Sequence, residues 1–252
     1  MRRIIAIARH TFREAVRDRV LHGAAAGAFL FILLDFFFAK LALGDLVMIK
    51  SFGLAGLYLF GLIITIFMGA SAIHAEIERR TLYFILSKPV SRAEFLLGKF
   101  FGLLAALFLA AGLIAVAYLA VIAFEGGGLD RLGLLAIVFQ LLEMALLTAL
   151  LIFLSAIVRP LTAAVCSILL AFAGHLLPAA FRNAAAAGPA ARRTLSFLYY
   201  VLPNLEKFDL RGFAAHSLSL PPEALFSVFL YAFAYTAFLL MLAIECFKRR
   251  EL

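Results

Sequence analysis

Six long apolar stretches limit what this chain can fold into. They lie at 20–38, 51–73, 95–124, 132–158, 161–181 and 224–245. Each reaches the roughly 17–25 residues that an α-helix needs to cross a bilayer. Unbroken runs of this length exclude a membrane β-barrel, whose strands alternate apolar and polar residues. The sequence therefore predicts an all-α polytopic membrane protein, with six transmembrane helices in a single domain over 1–252.

The first segment, 2–19, has the pattern of an amphipathic helix. One face carries Ile4, Ile5, Ala8, Phe12, Ala15 and Val16, and the other carries Arg2, Arg3, Arg9, Arg13, Glu14, Arg17 and Asp18. A basic amphipathic helix before a span is typical of an interfacial helix, which lies in the headgroup plane with its cations near anionic lipid.

The loop at 74–94 is the densest charged segment between two apolar stretches, so it must lie in water at a membrane face. Within it, Ile77, Thr81, Leu82, Ile85 and Leu86 recur at helical spacing. Pro89 ends that helix, because a proline disfavours the α conformation at the residue before it. Ser91 and Glu94 then have the spacing of a capping box that begins the next helix. A helix, a break and a capped restart predict a rigid protrusion suited to transmitting force to a partner.

The distribution of Lys and Arg predicts the orientation. With six spans, both termini share a side with the 74–94 loop, and that side carries fifteen of the Lys and Arg residues against eight on the other. The positive-inside rule makes the richer side cytoplasmic, so we expect a multi-pass protein of the cell inner membrane with both termini in the cytoplasm. The segment 182–223 is then extracytoplasmic. Its apolar run 195–202 is too short to span and is predicted to be re-entrant or interfacial.

Glu143 is the unusual residue of the fourth span, because a carboxylate in mid-membrane is costly unless it is paired. Its neighbours at helical spacing form a polar stripe that should face other helices or water: Gln140, Met144, Thr148, Leu151 and Ser155. Two interpretations stay open. Gln140, Glu143, Met144 and Thr148 line a translocation path, with Glu143 as a proton-linked group, or Glu143 is an interhelical clamp.

Other polar residues in or near the spans have plainer interpretations. Asp35 and Asp45 lie near the outer end of the first span and are expected to be solvated. His175, within the fifth span, is expected to be a packed or interfacial histidine rather than a metal ligand. Gly98 and Gly102 have the small-residue spacing that allows two helices to approach closely.

No nucleotide or catalytic motif is found. The chain contains no G-x-x-x-x-G-K-[ST], H-E-x-x-H or G-x-S-x-G sequence, so we expect neither enzymatic activity nor a cofactor bound by this chain. Cys166 and Cys246 both lie in apolar runs and predict neither a disulfide framework nor a metal site. The net charge of +8 is explained by basic cytoplasmic loops, and no nucleic-acid partner is expected.

A family resemblance rests on three motifs in and after the 74–94 loop. These are Glu76-x-Glu78-Arg-Arg-Thr81-Leu82, Leu86-Ser87-x-Pro89-x-Ser91-Arg92 and Gly98-Lys99, and together they resemble the first cytoplasmic loop of type-2 ABC exporter permeases. Residues 199–211 resemble the copper-enzyme-maturation subgroup of those permeases.

The resemblance implies a permease homodimer in the lipid bilayer, docked on a separate cytoplasmic ABC ATPase that binds ATP and Mg²⁺. The loop helix would be the coupling helix, with docking residues Glu76, Glu78, Arg80, Thr81, Leu82, Leu86, Ser87, Pro89 and Arg92. Two alternatives remain: an ATP-independent secondary transporter or channel that uses Glu143, and an ABC-linked scaffold or mechanotransmitter that moves no solute. The sequence leaves the cargo open.

Overall fold

Helices make up the architecture of the computed structural model, which describes residues 1–41, 45–73, 76, 91–128, 130–183, 189–218 and 221–249. In chain order they are α1 (Arg2–Val16), α2 (Arg19–Leu41), α3 (Leu46–Ser71), α4 (Arg92–Phe124), α5 (Arg131–Ile157), α6 (Pro160–Arg182), α7 (Pro189–Val201), α8 (Arg211–Ala215) and α9 (Pro222–Arg249), with a 3₁₀ turn at Glu206–Phe208. Helices α2 to α6 and α9 are long and apolar enough to cross a membrane. The predicted all-α protein with six transmembrane helices is confirmed.

Helix α3 begins five residues before the predicted span, because an aspartate caps it. The Asp45 carboxylate accepts a hydrogen bond from the backbone N–H of Val47 at 2.9 Å, which satisfies one of the free donors of the first turn. The extra turn takes Lys50 into the helix. Its ammonium is buried and lies 3.1 Å from Asp130 Oδ1, so the charge is neutralised where it leaves water.

Helix α4 is the longest of the described helices. Its 33 residues span about 50 Å at 1.5 Å per residue, more than the bilayer core of about 30 Å. The predicted capping box is present, since Ser91 Oγ accepts from the Glu94 N–H while the Glu94 carboxylate accepts from the Ser91 N–H. Helix α4 therefore begins at a fixed residue and extends beyond the hydrocarbon.

Helix α1 packs on this extended end of α4. A Cβ atom added to Gly102 would lie 2.6 Å from the carbonyl oxygen of Ala8, and one added to Gly98 would lie 2.6 Å from Ile7 Cβ. The two backbones are thus in close contact at the predicted pair of glycines. Because Ile7, Ala8 and Thr11 face α4, only part of the apolar face of α1 is left for lipid.

The segment between α6 and α9, which is predicted to lie on the outer side and which we call the outer segment, inserts between the spans. Helix α7 lies along α6, with the Phe181 and Tyr199 rings stacked at 4.6 Å. The chain then turns inward, and Leu205 and Phe208 are both fully buried. The part that inserts farthest is therefore the polar-looking turn after Pro203 rather than the apolar run 195–202, because that turn alternates charged residues with apolar ones that enter the core.

Asp35 is buried, so the expectation that it is solvated was wrong. Its side chain belongs to a stripe on α2 that faces α3, together with Leu21, Ala24, Ala28 and Ile32. These positions recur at three- and four-residue intervals, the period of one helix face. Asp35 is 6% exposed, and its Oδ2 would lie 3.2 Å from a Cβ on Gly53. Asp45 is exposed, as expected.

Candidate functional site

Glu143 joins three membrane helices through one carboxylate oxygen. It is 1% exposed, and its Oε1 accepts a hydrogen bond from the Tyr58 hydroxyl at 3.0 Å. The same oxygen lies 2.8 Å from His175 Nε2, and that nitrogen is 2.9 Å from the Tyr58 oxygen. We call Tyr58, Glu143 and His175, from α3, α5 and α6, the Glu143 cluster. A buried carboxylate in the middle of a membrane span is unfavourable without hydrogen-bond partners, and these two contacts stabilise it.

The outer segment covers the Glu143 cluster. The Arg211 guanidinium lies 4.7 Å from the centre of the Tyr58 ring, a cation–π distance. Its Nε and Nη2 donate to the two carboxylate oxygens of Asp209 at 2.8 and 2.7 Å. Burial opposes ionisation of Asp209, but the hydrogen bonds and charge of Arg211 outweigh it and hold the pKa of Asp209 below its ordinary value. The ion pair therefore orients the Arg211 guanidinium, whose contact with the Tyr58 ring joins the segment to the cluster.

Two of the other three predicted path residues face α3, as Glu143 does through Tyr58. Gln140 donates from Nε2 to the carbonyl oxygen of Leu54 at 3.1 Å, and Met144 lies beside Gly61, so both face α3. The Thr148 hydroxyl donates to the Met144 carbonyl of its own helix at 2.7 Å. Gln140, Met144 and Thr148 are buried in the packing of α5 within one subunit, and their assignment to a translocation path stays a prediction.

Tyr58 and His175 were not identified as a unit from the sequence. His175 was expected to be a packed histidine, and Tyr58 carried no signal within its apolar run. Their side chains meet because α3 and α6 both pack against α5 and against each other. Helical periodicity in the sequence does not show which helices are neighbours. The His175 side chain is 22% exposed, whereas that of Glu143 is 1% exposed. The cluster brings a carboxylate, an imidazole and a phenol hydroxyl from three helices to one point.

A second group of buried charges lies near the N-terminal end of α4. The Lys99 ammonium is 2.8 Å from Glu76 Oε1 and 3.7 Å from Glu14 Oε2, and the lysine side chain is only 4% exposed. Glu14 belongs to α1, Lys99 to α4, and Glu76 to the start of the 74–94 loop. We call these residues the Lys99 cluster. It ties the predicted docking segment to both helices.

Most of the predicted docking residues cannot be placed. Glu78, Arg80, Thr81, Leu82, Leu86, Ser87 and Pro89 lie outside the described residues. Of the two that are described, Glu76 is directed toward Lys99. Arg92 donates from Nη1 to the carbonyl oxygens of Phe247 and Lys248 at 2.6 and 2.9 Å. Because those carbonyls belong to the last turn of α9, Arg92 braces the start of α4 against the C-terminal helix.

The Lys99 cluster also bears on metal binding. His10, Glu14 and Glu76 have ligand atoms within 4.8 Å of one another, a spacing that a cation could bridge. However, the Lys99 ammonium already lies against Glu76 and would have to leave before a divalent cation could bind. The chemistry of the donors therefore favours an internal ion-pair network over a metal site.

The sequence model of a family described as ABC-2 family transporter protein matches residues 5–252. A search of curated proteins finds no match.

Proposed function

Because the chain belongs to the ABC-2 family of transporter proteins, we propose that this ABC transporter permease is driven by a separate cytoplasmic ATPase and works as an exporter. Family membership implies association with an ABC ATPase and with the membrane. The ATPase would bind ATP and Mg²⁺, and this chain would convert nucleotide-driven motion into substrate movement.

The observation that best supports this coupling is the construction of α4. The helix begins at a capping box immediately after the predicted docking loop, is braced there by Arg92, and continues without interruption to Phe124. An uninterrupted helix of about 50 Å transmits displacement from its inner end to its outer end. A loop that ends on such a helix is suited to receive force from a moving partner.

The remaining parts of the proposal follow from the same assignment. Both termini and the 74–94 loop are cytoplasmic, the membrane is the cell inner membrane, and two copies of the chain form a homodimer above paired ATPases. Glu76, Glu78, Arg80, Thr81, Leu82, Leu86, Ser87, Pro89 and Arg92 form the docking element. Residues 199–211 favour the copper-enzyme-maturation subgroup.

Co-purification tests the docking assignment. The paired change Leu82→Glu with Leu86→Glu places two charges where buried anchors are proposed, and should abolish capture of the ATPase. The matched control is Phe213→Glu with Leu218→Glu, which likewise replaces two apolar side chains with glutamate. Phe213 and Leu218 are exposed and lie in the outer segment, so this change should leave capture unchanged. Undiminished capture by the loop variant would refute the docking assignment.

A second candidate function is favoured by the Glu143 cluster. A buried carboxylate with a partly exposed imidazole, bonded at 2.8 Å, is suited to proton-linked transport without ATP. In that case Glu143→Gln would abolish uptake or efflux by the purified permease in vesicles that contain no ATPase. If those vesicles show no transport driven by a proton gradient, the second candidate fails and the first is unaffected.

A further inference from the structure

Helix α1 presents three distinct faces. The first, with Ile7, Ala8 and Thr11, packs on α4. The second is an apolar strip of Ile5, Phe12 and Val16. Ile5 is 66% exposed, whereas Phe12 and Val16 are half-buried and also pack against the core. The third is an arginine strip of Arg2, Arg9 and Arg13, all exposed. Residues seven and eleven positions apart lie within about 20° of a common line on an α-helix, so each strip is continuous.

The two strips match the two layers of a membrane interface. They lie side by side around α1, so when the apolar strip faces acyl chains the arginine strip is held at headgroup level. An apolar strip beside a row of arginines is the composition that binds anionic lipid surfaces. Charge complementarity therefore selects anionic phospholipid headgroups of the inner leaflet as the partner of the arginine strip.

The first face links this surface to the loop. Close backbone contact at Gly102 leaves no room for α1 to move independently of α4. Glu14 of α1 and Glu76 of the loop share the same buried ammonium of Lys99. A displacement of α1 therefore moves α4 and Lys99 with it, and through the 2.8 Å ion pair between Lys99 and Glu76 it moves the start of the predicted docking segment.

We propose that α1 is a lipid-responsive element, in which anionic headgroups bound along the arginine strip fix its position and the Lys99 cluster transmits that position to the docking loop. The transmission step rests on the proposed function, because it needs an ATPase at that loop. The lipid-binding step does not. Anionic lipid at the inner leaflet would then set the ATPase rate of the assembled transporter.

The lipid-binding step can be measured on the permease alone. The chain contains no tryptophan, so Ile5→Trp introduces a single tryptophan on the apolar strip, whose emission can be excited separately from that of the tyrosines. In bilayers of phosphatidylcholine we expect brominated phosphatidylglycerol to quench it more strongly than brominated phosphatidylcholine at equal mole fraction. Each arginine near an anionic surface contributes about a fivefold preference, so neutralising Arg2, Arg9 and Arg13 together to Gln should reduce the selectivity at least fivefold.

A charge-matched variant controls for net charge. Changing Arg131, Arg192 and Arg193 to Gln removes three exposed arginines at the opposite end of the spans and should leave the selectivity unchanged. Equal quenching by the two lipids in the protein with its arginines intact would overturn the lipid-binding step. So would an equal loss of selectivity in both triple variants.

The transmission step is measured on the permease–ATPase complex. We expect its ATPase rate to differ severalfold between phosphatidylcholine bilayers and bilayers that also contain phosphatidylglycerol. Lys99→Gln combined with Glu76→Gln removes the ion pair without leaving a buried unpaired charge, and should abolish this difference while the quenching at position 5 persists. A double variant that still responds to lipid would overturn transmission.

Two further outcomes separate the possible failures. If the arginine-strip variant loses ATPase capture in both bilayers, the strip contacts the ATPase and the lipid assignment is wrong. If the unaltered permease captures no ATPase in either bilayer, the proposed function fails and the transmission step fails with it. Capture with equal rates in the two bilayers overturns transmission alone.

Discussion

Replacing Glu143 should reveal whether its cluster holds the helices together. Glu143→Ala removes the acceptor shared by the Tyr58 hydroxyl and the His175 imidazole. Interhelical hydrogen bonds in membrane proteins contribute about 0.6–1.7 kcal/mol each, so the loss of two gives about 1–3 kcal/mol. Glu143→Gln keeps a side-chain oxygen in place and should cost less than half of that.

The measurement is thermal unfolding of the detergent-solubilised permease. For a chain of this size about 1 kcal/mol shifts the midpoint by roughly 2–4 °C, so Glu143→Ala should lower it by about 3–10 °C. Thr148→Ala is the matched control, because its hydroxyl bonds only to the Met144 carbonyl of its own helix among the hydrogen bonds described, and should change the midpoint by less than about 3 °C.

A double-mutant cycle with Tyr58→Phe isolates the bond itself. Tyr58→Phe should be costly when Glu143 is present and nearly neutral beside Glu143→Ala, with a coupling energy of about 0.6–1.7 kcal/mol. Fully additive effects would show that the 3.0 Å contact contributes nothing to stability. If Gln and Ala variants transported substrate at the normal rate, the cluster would be a structural clamp rather than part of a translocation path.

Three other changes test the packing and the outer segment. Gly102→Ala should destabilise the protein by about 1–3 kcal/mol, because the added Cβ would lie 2.6 Å from the carbonyl oxygen of Ala8. The control is Gly23→Ala, which should be neutral or stabilising by up to about 1 kcal/mol, because nothing lies within 4 Å of a Cβ added there. Thermal unfolding measures both changes. Asp209→Asn should lower the free energy of unfolding by no more than about 1 kcal/mol at neutral pH. Because the pKa of Asp209 is lowered in the fold, the stabilisation by its carboxylate should shrink as the pH falls below the ordinary carboxyl value of about 3.9. Hydrogen exchange of residues 205–215 in the two proteins measures that stabilisation, and a difference in exchange between them that grows in acid would contradict the assignment. Lys50→Met should lower the free energy of unfolding by about 3–5 kcal/mol, because it leaves the buried carboxylate of Asp130 without its cation. Adding Asp130→Asn should restore most of the lost stability. A double variant as unstable as Lys50→Met alone would show that loss of the ion pair is not the cause.

The sequence predicts the spans well because length and apolar composition are local properties. It also identifies Glu143 as unusual, since one carboxylate in an apolar run is visible without any neighbour. The sequence does not identify the hydrogen-bond partners of Glu143, because Tyr58 and His175 lie 85 and 32 residues away from it along the chain. Helical periodicity does not show which helices are neighbours. Asp35 was wrongly predicted to be solvated because only its position near the end of the span was considered. Its spacing from Ala28 and Ile32 places it on the same helix face as those buried residues.

Helix α4 and helix α5 contribute differently, and the difference bears on how motion would cross the membrane. Helix α5 is buried on most sides and is bonded at mid-height to α3 and α6 through Glu143, so it cannot be displaced without breaking contacts with several neighbours at once. Helix α4 carries its polar contacts near its two ends, with Lys99 and Arg92 at the N-terminal end and Tyr118 bonded to Asp130 near the C-terminal end. Between those ends its contacts are largely apolar and non-directional, which permits small sliding motions. If the loop before α4 receives the ATPase as proposed, the geometry favours motion of α4 past a fixed α5, and the hydrogen bond from Tyr118 of α4 to Asp130 is a polar contact that such motion would change.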